Sequence, residues 1–318
     1  MMKMTNETSP CHRFFCQAPK EIAKQQRMSY ISDRRDRWPV SLLCRTLGVS
    51  ESGYYKFLRS KSKPDKHANL LAQIYELIQE DEENANYGVR RIYDYLRLNR
   101  DYHGSLRTIY RICKENNLMI RMKRKPNGIT KADAEAQKSE NLIKQDFTAE
   151  APNQKWLTDI TEIPCKDGKL YLAPIFDCYD GSIRGFRMDD NMRADLCVEA
   201  FQNACRDDGA EGMILHSDRG TQFTSQRFRK VLKKANAIQS MSGTGRCYDN
   251  ARMESFFATL KKEKLYKINT KSMPMVEVKT IVYRYIHYYN RRRIYSTNNG
   301  YPPLVYRGLF IDNHQLAA

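Results

Sequence analysis

From Gln154 the hydrophobic period of the chain changes, and the pattern that follows admits few folds. KWLTDITEIP reads as a strand, Lys166-Asp167-Gly168-Lys169 as a hairpin turn built on an Asp-Gly pair, and YLAPIFDCYD as a second strand. Asp180-Gly181-Ser182 marks another turn and IRGFRM a third strand, so the three form an antiparallel meander. A helix from about Ala194 to Cys205 carries Leu196, Ala200 and Ala204 on one face, and the short apolar run GMILHSD reads as a buried strand ending at Asp218. A basic helix follows from about Ser225 to Ala235, with Phe228, Val231, Leu232 and Ala235 as its apolar side. The strand AIQSMS and the loop GTGRCYDN then lead into a helix that carries Glu254.

Three strands, a helix, a strand, a helix, a strand and a helix is the order of a ribonuclease H-like α/β core: a mixed five-stranded sheet with helices on both faces. In that layout Asp159 lies within the first strand and Asp218 at the end of the fourth, its neighbour. Glu254 projects across the same edge from the following helix. Three carboxylates brought together repel one another and raise at least one pKa, a conflict that a divalent cation removes. Donors that are all oxygen favour Mg2+ or Mn2+. Two such ions, about 3.5 to 4 Å apart, activate an attacking water or 3' hydroxyl and stabilise the leaving oxygen of an in-line displacement at phosphorus. The plain alternative is three surface acids among the chain's 37. His216 reads as a packing residue rather than a catalyst. Glu254, Phe257 and Lys261 share one helical face, which sets Lys261 where it can hold a phosphate, unless it merely belongs to the run KKEK. Phe256 and Leu260 are placed to anchor this helix to the sheet.

Upstream the period is helical throughout. Residues 1–36 are assigned to an N-terminal tail: the first 27 or so are polar, basic and without clear period, and read as a mobile tail or a poorly defined lead-in helix. Residues 37–62 read as helix, Gly48 turn and helix, with Leu42, Leu43 and Leu47 on one side, Ser50 as N-cap, and Tyr54, Tyr55, Phe57 and Leu58 on the second helix. That is the pattern of a helix-turn-helix and equally of a plain helical hairpin. Residues 68–120 hold a helix closed by the acids Glu80 to Glu83 and then a second helix-turn-helix unit. Its stripes are Val89, Ile92, Tyr93 and Leu96, then Leu106, Ile109, Tyr110 and Cys113, with Gly104 and Ser105 as turn and N-cap. Arg107, Arg111 and Lys114 face outward on the last helix, where a recognition helix contacts DNA. Residues 121–150 read as a linker whose basic end, with Lys123, Arg124 and Lys125, is suited to lie on DNA phosphates. The catalytic core is assigned to 151–270, and 271–318 to a C-terminal helix and tail. In that last segment Tyr285, Tyr288 and Tyr289 among Arg291 to Arg293 suit either packing or DNA contact.

A net charge of +17 with 54 basic side chains is the footprint of a nucleic-acid partner. Nine cysteines without a CxxC pair point to free thiols in a reducing cytoplasm. Cys11, His12 and Cys16 lie close enough together to ligate metal, but no second cluster with zinc spacing follows. No apolar run is long enough to span a bilayer, so a soluble, non-membrane protein is expected.

WLTDIT around Asp159, HSDRGTQFTS around Asp218 and SMSGTGRCYDNARMESFFATLKKE around Glu254 together resemble the OrfB transposases of the IS-three type bacterial insertion sequences, whose catalytic domain is similar to retroviral integrase. Asp218 and Glu254 stand 35 residues apart, the spacing of that group's DDE triad, and Lys261 falls at the family's basic position seven after the glutamate. YGVRRIYDYL and YYNRRRIYSTNNGYPP extend the likeness over roughly residues 38–306. Tyr295, Asn298 and Asn299 depart from the family pattern, which has His-Ser and a shorter loop there. The resemblance implies metal-dependent cleavage of double-stranded DNA at terminal inverted repeats, followed by 3' hydroxyl attack on a target phosphodiester. It also implies a homo-oligomer on DNA and the upstream-frame OrfA protein, as partner or as frameshift fusion.

Overall fold

The computed structural model describes residues 23–61, 67–120, 140–242 and 247–315, and the chain divides into two compact units, Met1–Leu70 and Leu71–Ala318. Lys123, Arg124 and Lys125 lie outside the described residues, as do Cys11, His12 and Cys16.

The first unit contains α1 (Lys24–Arg34), α2 (Val40–Thr46) and α3 (Glu51–Lys61). Gly48, at φ +63°, makes the turn between α2 and α3, and Ser50 Oγ accepts the Gly53 N–H at 3.2 Å as the first turn of α3 begins. Met28, Ile31, Leu43, Cys44, Leu47, Val49 and Tyr54 close one small core. Of the two readings of this stretch, residues 24–34 take the helical one, and the helix is packed. Their sequence hides this because only Met28 and Ile31, three apart, mark the inward face of an otherwise polar segment. Leu42, expected on the buried stripe, is exposed, and Cys44 takes its place.

α4 (Ala68–Glu80), α5 (Val89–Asn99) and α6 (Leu106–Glu115) follow. Ser105 caps α6, its Oγ accepting the Thr108 N–H at 3.2 Å. α6 buries Ile109, Ile112 and Cys113, whereas Leu106 and Tyr110, both expected inside, are exposed. The buried seam runs i, i+3, i+4, and Tyr110 falls on the opposite face with Arg107, Arg111 and Lys114.

The sheet is built from β1 (Lys155–Thr158), β2 (Thr161–Cys165), β3 (Gly168–Asp177), β4 (Ile183–Asp189), β5 (Ile214–Ser217) and β6 (Ile238–Met241). β1 and β2 lie end to end along the same edge of β3, and their pairings Thr158↔Ile175 and Thr161↔Leu172 belong to one unbroken register. That register sets Asp159 opposite Pro174, which brings no N–H to the ladder. Asp159 accordingly sits at a break in the first strand, not within it, and its own carboxylate accepts the Ile160 N–H at 2.7 Å. Counting the broken strand once, the sheet has five strands, with β4 and β3 on one side of β1 and with β5 and β6, both parallel, on the other.

α7 (Ala194–Asp208) crosses β4 so closely that a Cβ on Gly185 would meet the Ala204 amide nitrogen at 2.4 Å. Beneath α7 and the helix α9 (Gln226–Lys234), Trp156, Ile175, Phe201, Leu215, Phe228 and Leu232 form the main core. α8 (Thr221–Thr224) joins β5 to α9, and α10 (Ala251–Glu263), α11 (Met275–Arg291) and α12 (Pro303–Gln315) complete the fold.

Buried ion pairs tie these last helices down. Glu263, at the end of α10, accepts two bonds from Arg293, both at 2.8 Å, one from Arg91 of α5 at 3.0 Å, and the Tyr285 hydroxyl of α11 at 2.8 Å. Arg307 of α12 donates to Asp177 at 2.9 Å and to Asp180 at 2.7 Å, so the expected C-terminal tail includes a helix with a buried cation. The acids after α4 do more than close it: Asp81 pairs with Arg292, while Glu82 and Glu83 pair with Lys264. Tyr285, Tyr288 and Tyr289 are all buried, which settles their helix side as packing. Tyr295, at the departure from the family pattern, stacks edge-on against Tyr289, and the Asn298 amide donates to the Asp180 carbonyl at 2.7 Å.

Removing one partner of a buried ion pair leaves the other charge uncompensated, at a cost of about 3 to 5 kcal/mol, whereas an exposed pair contributes about 0 to 1. Glu263→Ala is expected to lower urea-unfolding stability by that larger amount and Glu82→Ala by no more than about 1 kcal/mol. Equal losses would contradict the central place given to Glu263.

Candidate active site at the sheet edge

β1 and β5 pair in parallel with Leu157 opposite His216, and two residues further along that register Asp159 and Asp218 leave the sheet side by side. Each is shaped by its own turn. Asp218 Oδ1 accepts the Gly220 N–H at 3.0 Å, and a Cβ at position 220 would stand 3.1 Å from that same oxygen. His216 behind them is fully buried, with Nδ1 2.8 Å from Ser240 Oγ and Nε2 3.1 Å from Ser242 Oγ. Burial pushes its pKa down to about 4, so the ring is neutral and bolts β5 to β6, the packing role its position suggested.

Glu254 lies in the first turn of α10 and faces solvent, and Lys261 is half-buried two turns later. Met253, Phe256 and Leu260 anchor the helix, and Phe257, between Glu254 and Lys261 on their face, is buried too. Asn250, just before the helix, donates from its amide to the Thr158 carbonyl at 3.2 Å, joining the start of α10 to the residue that precedes Asp159. Arg252 donates to the Phe147 carbonyl at 3.1 Å and also to that of Cys178. Asn141, in the second half of the 121–150 segment, donates to buried Asp249 at 2.8 Å. Sequence reading singled out none of these three. An asparagine ahead of a helix signals an N-cap, yet Asn250 makes no side-chain cap bond and spends its amide on the neighbouring strand.

The electrostatics follow from this placement. The pKa of Asp159 is pushed up to about 7, by burial first, then by the charge of Asp218 and less by that of Glu254, with the Ile160 N–H and Lys261 acting the other way. Asp218 is open to solvent on one side, but the protein around it still raises its carboxyl, against the pull of the Gly220 N–H. Cys197 of α7 lies behind the pair, its thiol pushed up to about 12 by burial and then by both aspartates, which leaves it inert. The edge thus gathers carboxylates that repel one another, with oxygen donors alone, a donor set suited to a hard divalent cation. Among the described residues no three His, Cys, Asp or Glu side chains stand close enough together to enclose an ion. Asp159 and Asp218 are brought together, and Glu254 shares the edge without closing on the same point.

The residues expected to meet DNA are distributed differently. Arg107, Arg111 and Lys114 are exposed on α6, far along the chain from the acids, with Tyr110 among them. No described helix is long and apolar enough to cross a membrane. Cys44, Cys113, Cys165, Cys178, Cys197 and Cys205 are free thiols.

Comparison with known proteins agrees with this layout. The family described as Integrase core domain matches residues 149–247 and, in a second form, residues 237–303, and an HTH-like domain family matches residues 65–126. The chain is 33% identical over 285 residues to the InsK protein of insertion sequence element IS150 from Escherichia coli (strain K12), covering 88% of this chain and 97% of that protein. It is 31% identical over 278 residues to Transposase InsF for insertion sequence IS3A of the same organism, covering 86% of this chain and 96% of the other. A 31 kDa protein of insertion element IS600 from Shigella sonnei is 34% identical over its whole length, across 87% of this chain. Among solved structures, the HTLV-2 integrase catalytic core domain in complex with magnesium aligns with half of this chain and 99% of its own, at 17% identity and a TM-score of 0.39. Identity of this order over nearly the full length of several relatives, together with the integrase core and the helix-turn-helix-like unit ahead of it, shows that the chain belongs to the IS3 family of insertion-sequence transposases.

Proposed function

We propose that this transposase cleaves the ends of its insertion sequence and joins the freed 3' hydroxyl to a phosphodiester of another DNA, with Asp159, Asp218 and Glu254 as the catalytic acids. The observation that carries the reading is the β1–β5 register, which sets two aspartates side by side at a sheet edge, one of them with its pKa pushed up to about 7. Two carboxylates are held there at a standing electrostatic cost, the mark of a site arranged for a charged ligand.

Asp159 and Asp218 would hold the cofactor, Mg2+ or Mn2+ and in the two-ion form, with Glu254 completing the set from α10. When bound, the ions supply charge neutralisation on the attacking and leaving oxygens of an in-line displacement. The chain's own residues do the rest. Asp159 would release its proton as the site loads, and Glu254, already at that edge, would close on the pair by a change of side-chain rotamer on a helix that Asn250 keeps fixed to β1. Lys261, whose charge already acts on Asp159, holds the phosphate of the scissile strand. Arg107, Arg111 and Lys114 of α6 contact the terminal inverted repeat, and Lys123, Arg124 and Lys125 its phosphates. The protein acts in the bacterial cytoplasm as a homo-oligomer on two DNA ends, with the OrfA protein or as its fusion.

Asp218→Asn is expected to lower Mg2+-dependent cleavage and joining of end-containing duplexes by about a thousandfold, several kcal/mol of lost charge stabilisation, while end-DNA affinity holds or rises. A variant that still cut and joined would refute the site. Wild-type nicks without covalent joints would instead indicate a nuclease, and binding with neither would indicate a regulator.

Stability gives a second test. An unfolded aspartate titrates near 3.8 and folded Asp159 near 7, so across that window the unfolded chain has released a proton that the fold retains. Stability therefore falls as pH rises through the window. Asp159→Asn removes this penalty, so in chelator its melting temperature is expected to exceed the wild-type value by a margin that grows from pH 5 to pH 8 and then levels. A margin constant with pH would contradict the raised pKa.

A further inference from the structure

Helix α9 has a division of faces that the site does not use. At about 100° per residue, Phe228, Val231, Leu232 and Ala235 fall on one side, with Phe228 and Leu232 buried in the main core. Arg227, Lys230, Lys233 and Lys234 fall on the opposite side and are exposed, and Arg229 lies half-exposed at its margin. Arg227 is neutralised by Asp195 of α7. Among the described residues, Lys230, Lys233 and Lys234 have no carboxylate within ion-pair distance, and neither has Arg229. Lys233 and Lys234 lie in the last turn, where cations also offset the helix dipole, but Lys230 sits mid-helix and gains little from that.

α9 starts eight residues after Asp218, and α8 between them packs against α9, so this basic face belongs to the helix that follows the candidate active site in the chain. The apolar face is committed to the sheet, and the outward face offers lysines, compact point charges on flexible stems that pair with phosphates without the fixed fork geometry of base readout. Lys230 and Lys234 are about 6 Å apart along the axis, and successive phosphates of one strand advance about 3.4 Å, so the three ammoniums reach two or three neighbouring phosphates.

We propose that the outward face of α9, through Lys230, Lys233 and Lys234, is a sequence-independent track for the phosphate backbone of the target duplex. The proposal rests on the transposase reading above, in which one DNA is recognised by sequence at its ends and the other is not. A surface that reads charge alone fits the second. The exposed basic residues of α6, on a separate helix, remain the contact for the first.

The test uses the full chain carrying Lys230→Gln, Lys233→Gln and Lys234→Gln, with the three lysine-to-arginine changes as a charge-keeping control. Binding of a random-sequence duplex and of a short end duplex is followed by fluorescence anisotropy across a salt series, alongside joining into a separate target. For the glutamine variant the log–log salt slope on random duplex is expected to drop by about 2 to 3, at roughly 0.9 per lost phosphate contact. Its slope on the short end duplex should hold, and joining into target should fall by about tenfold. The arginine variant is expected to match wild type in all three. Lys230→Gln alone, which spares the helix C-terminus, repeats the test with a slope change of about 0.9 should the triple change lower the melting temperature. Unchanged slopes on random duplex, or an equal drop on both duplexes, would overturn the proposal. Failure of wild-type chain to join any DNA would overturn the catalytic reading instead, and the salt slope on random duplex would still decide the role of α9.

Discussion

The parallel pairing of β1 with β5 is the constraint on which the rest of this structure depends, because it forces two aspartates to leave the sheet at one point. What maintains the pairing is burial on both faces: Trp156 and Leu215, partners across the two strands, are enclosed in the main core on one face, and the next pair, Leu157 and His216, is buried on the other. The indole N–H of Trp156 donates to Asp177 at 3.2 Å, and Arg307 of the last helix neutralises that carboxylate. Arg307 therefore helps to hold the strand that leads into Asp159. The aspartates themselves oppose the fold in the absence of a counter-charge, and the core around them bears that cost.

Glu254 depends on a second constraint. Its helix is fixed at its start by Asn250 on the Thr158 carbonyl and at its end by Glu263, which three groups from two other segments surround. One of those groups, Arg91, belongs to α5 of the helix-turn-helix-like unit, so the helix bearing Glu254 and that unit share a buried charge. Burial alone would raise the carboxyl of Glu263, yet Arg293 and Arg91 hold it below its usual range, so it stays ionised and the cluster intact at neutral pH. The acids Asp81, Glu82 and Glu83 extend the same seam through Arg292 and Lys264.

Much of this was legible in the sequence wherever a local period or a turn carried the information. The order of strands and helices, the Asp-Gly turn, the cap at Ser105 and the anchoring of Phe256 and Leu260 all follow from neighbours within one or two turns. The break at Asp159 was not legible, because its cause, Pro174, lies fifteen residues away and acts only once the register is known. Met28 and Ile31 made too thin a stripe to mark α1 as packed, and Tyr110, apolar by type, sits on the charged face of α6. The Glu263–Arg293 pair and the Arg307 cluster join residues 30 and about 130 positions apart, and no local pattern announces such partners. In the site, the two aspartates could be read from their strands. Asn250 could not, since a capping residue that turns its amide to a neighbouring strand looks in sequence like an ordinary cap.

The central claim is that Asp159 and Asp218 form a charge-strained pair waiting for a cation, and proton release on metal binding tests it most directly. Calorimetric titration of the full chain with Mn2+ or Mg2+, in buffers of different ionisation enthalpy, measures the protons expelled per chain. With Asp159 near 7, the account predicts about half a proton or more released at pH 7, a larger release at pH 6 and little at pH 8.5, with the Asp159 share lost in Asp159→Asn. Metal binding with no proton release at any of these pH values, or with release unaffected by that substitution, would contradict it.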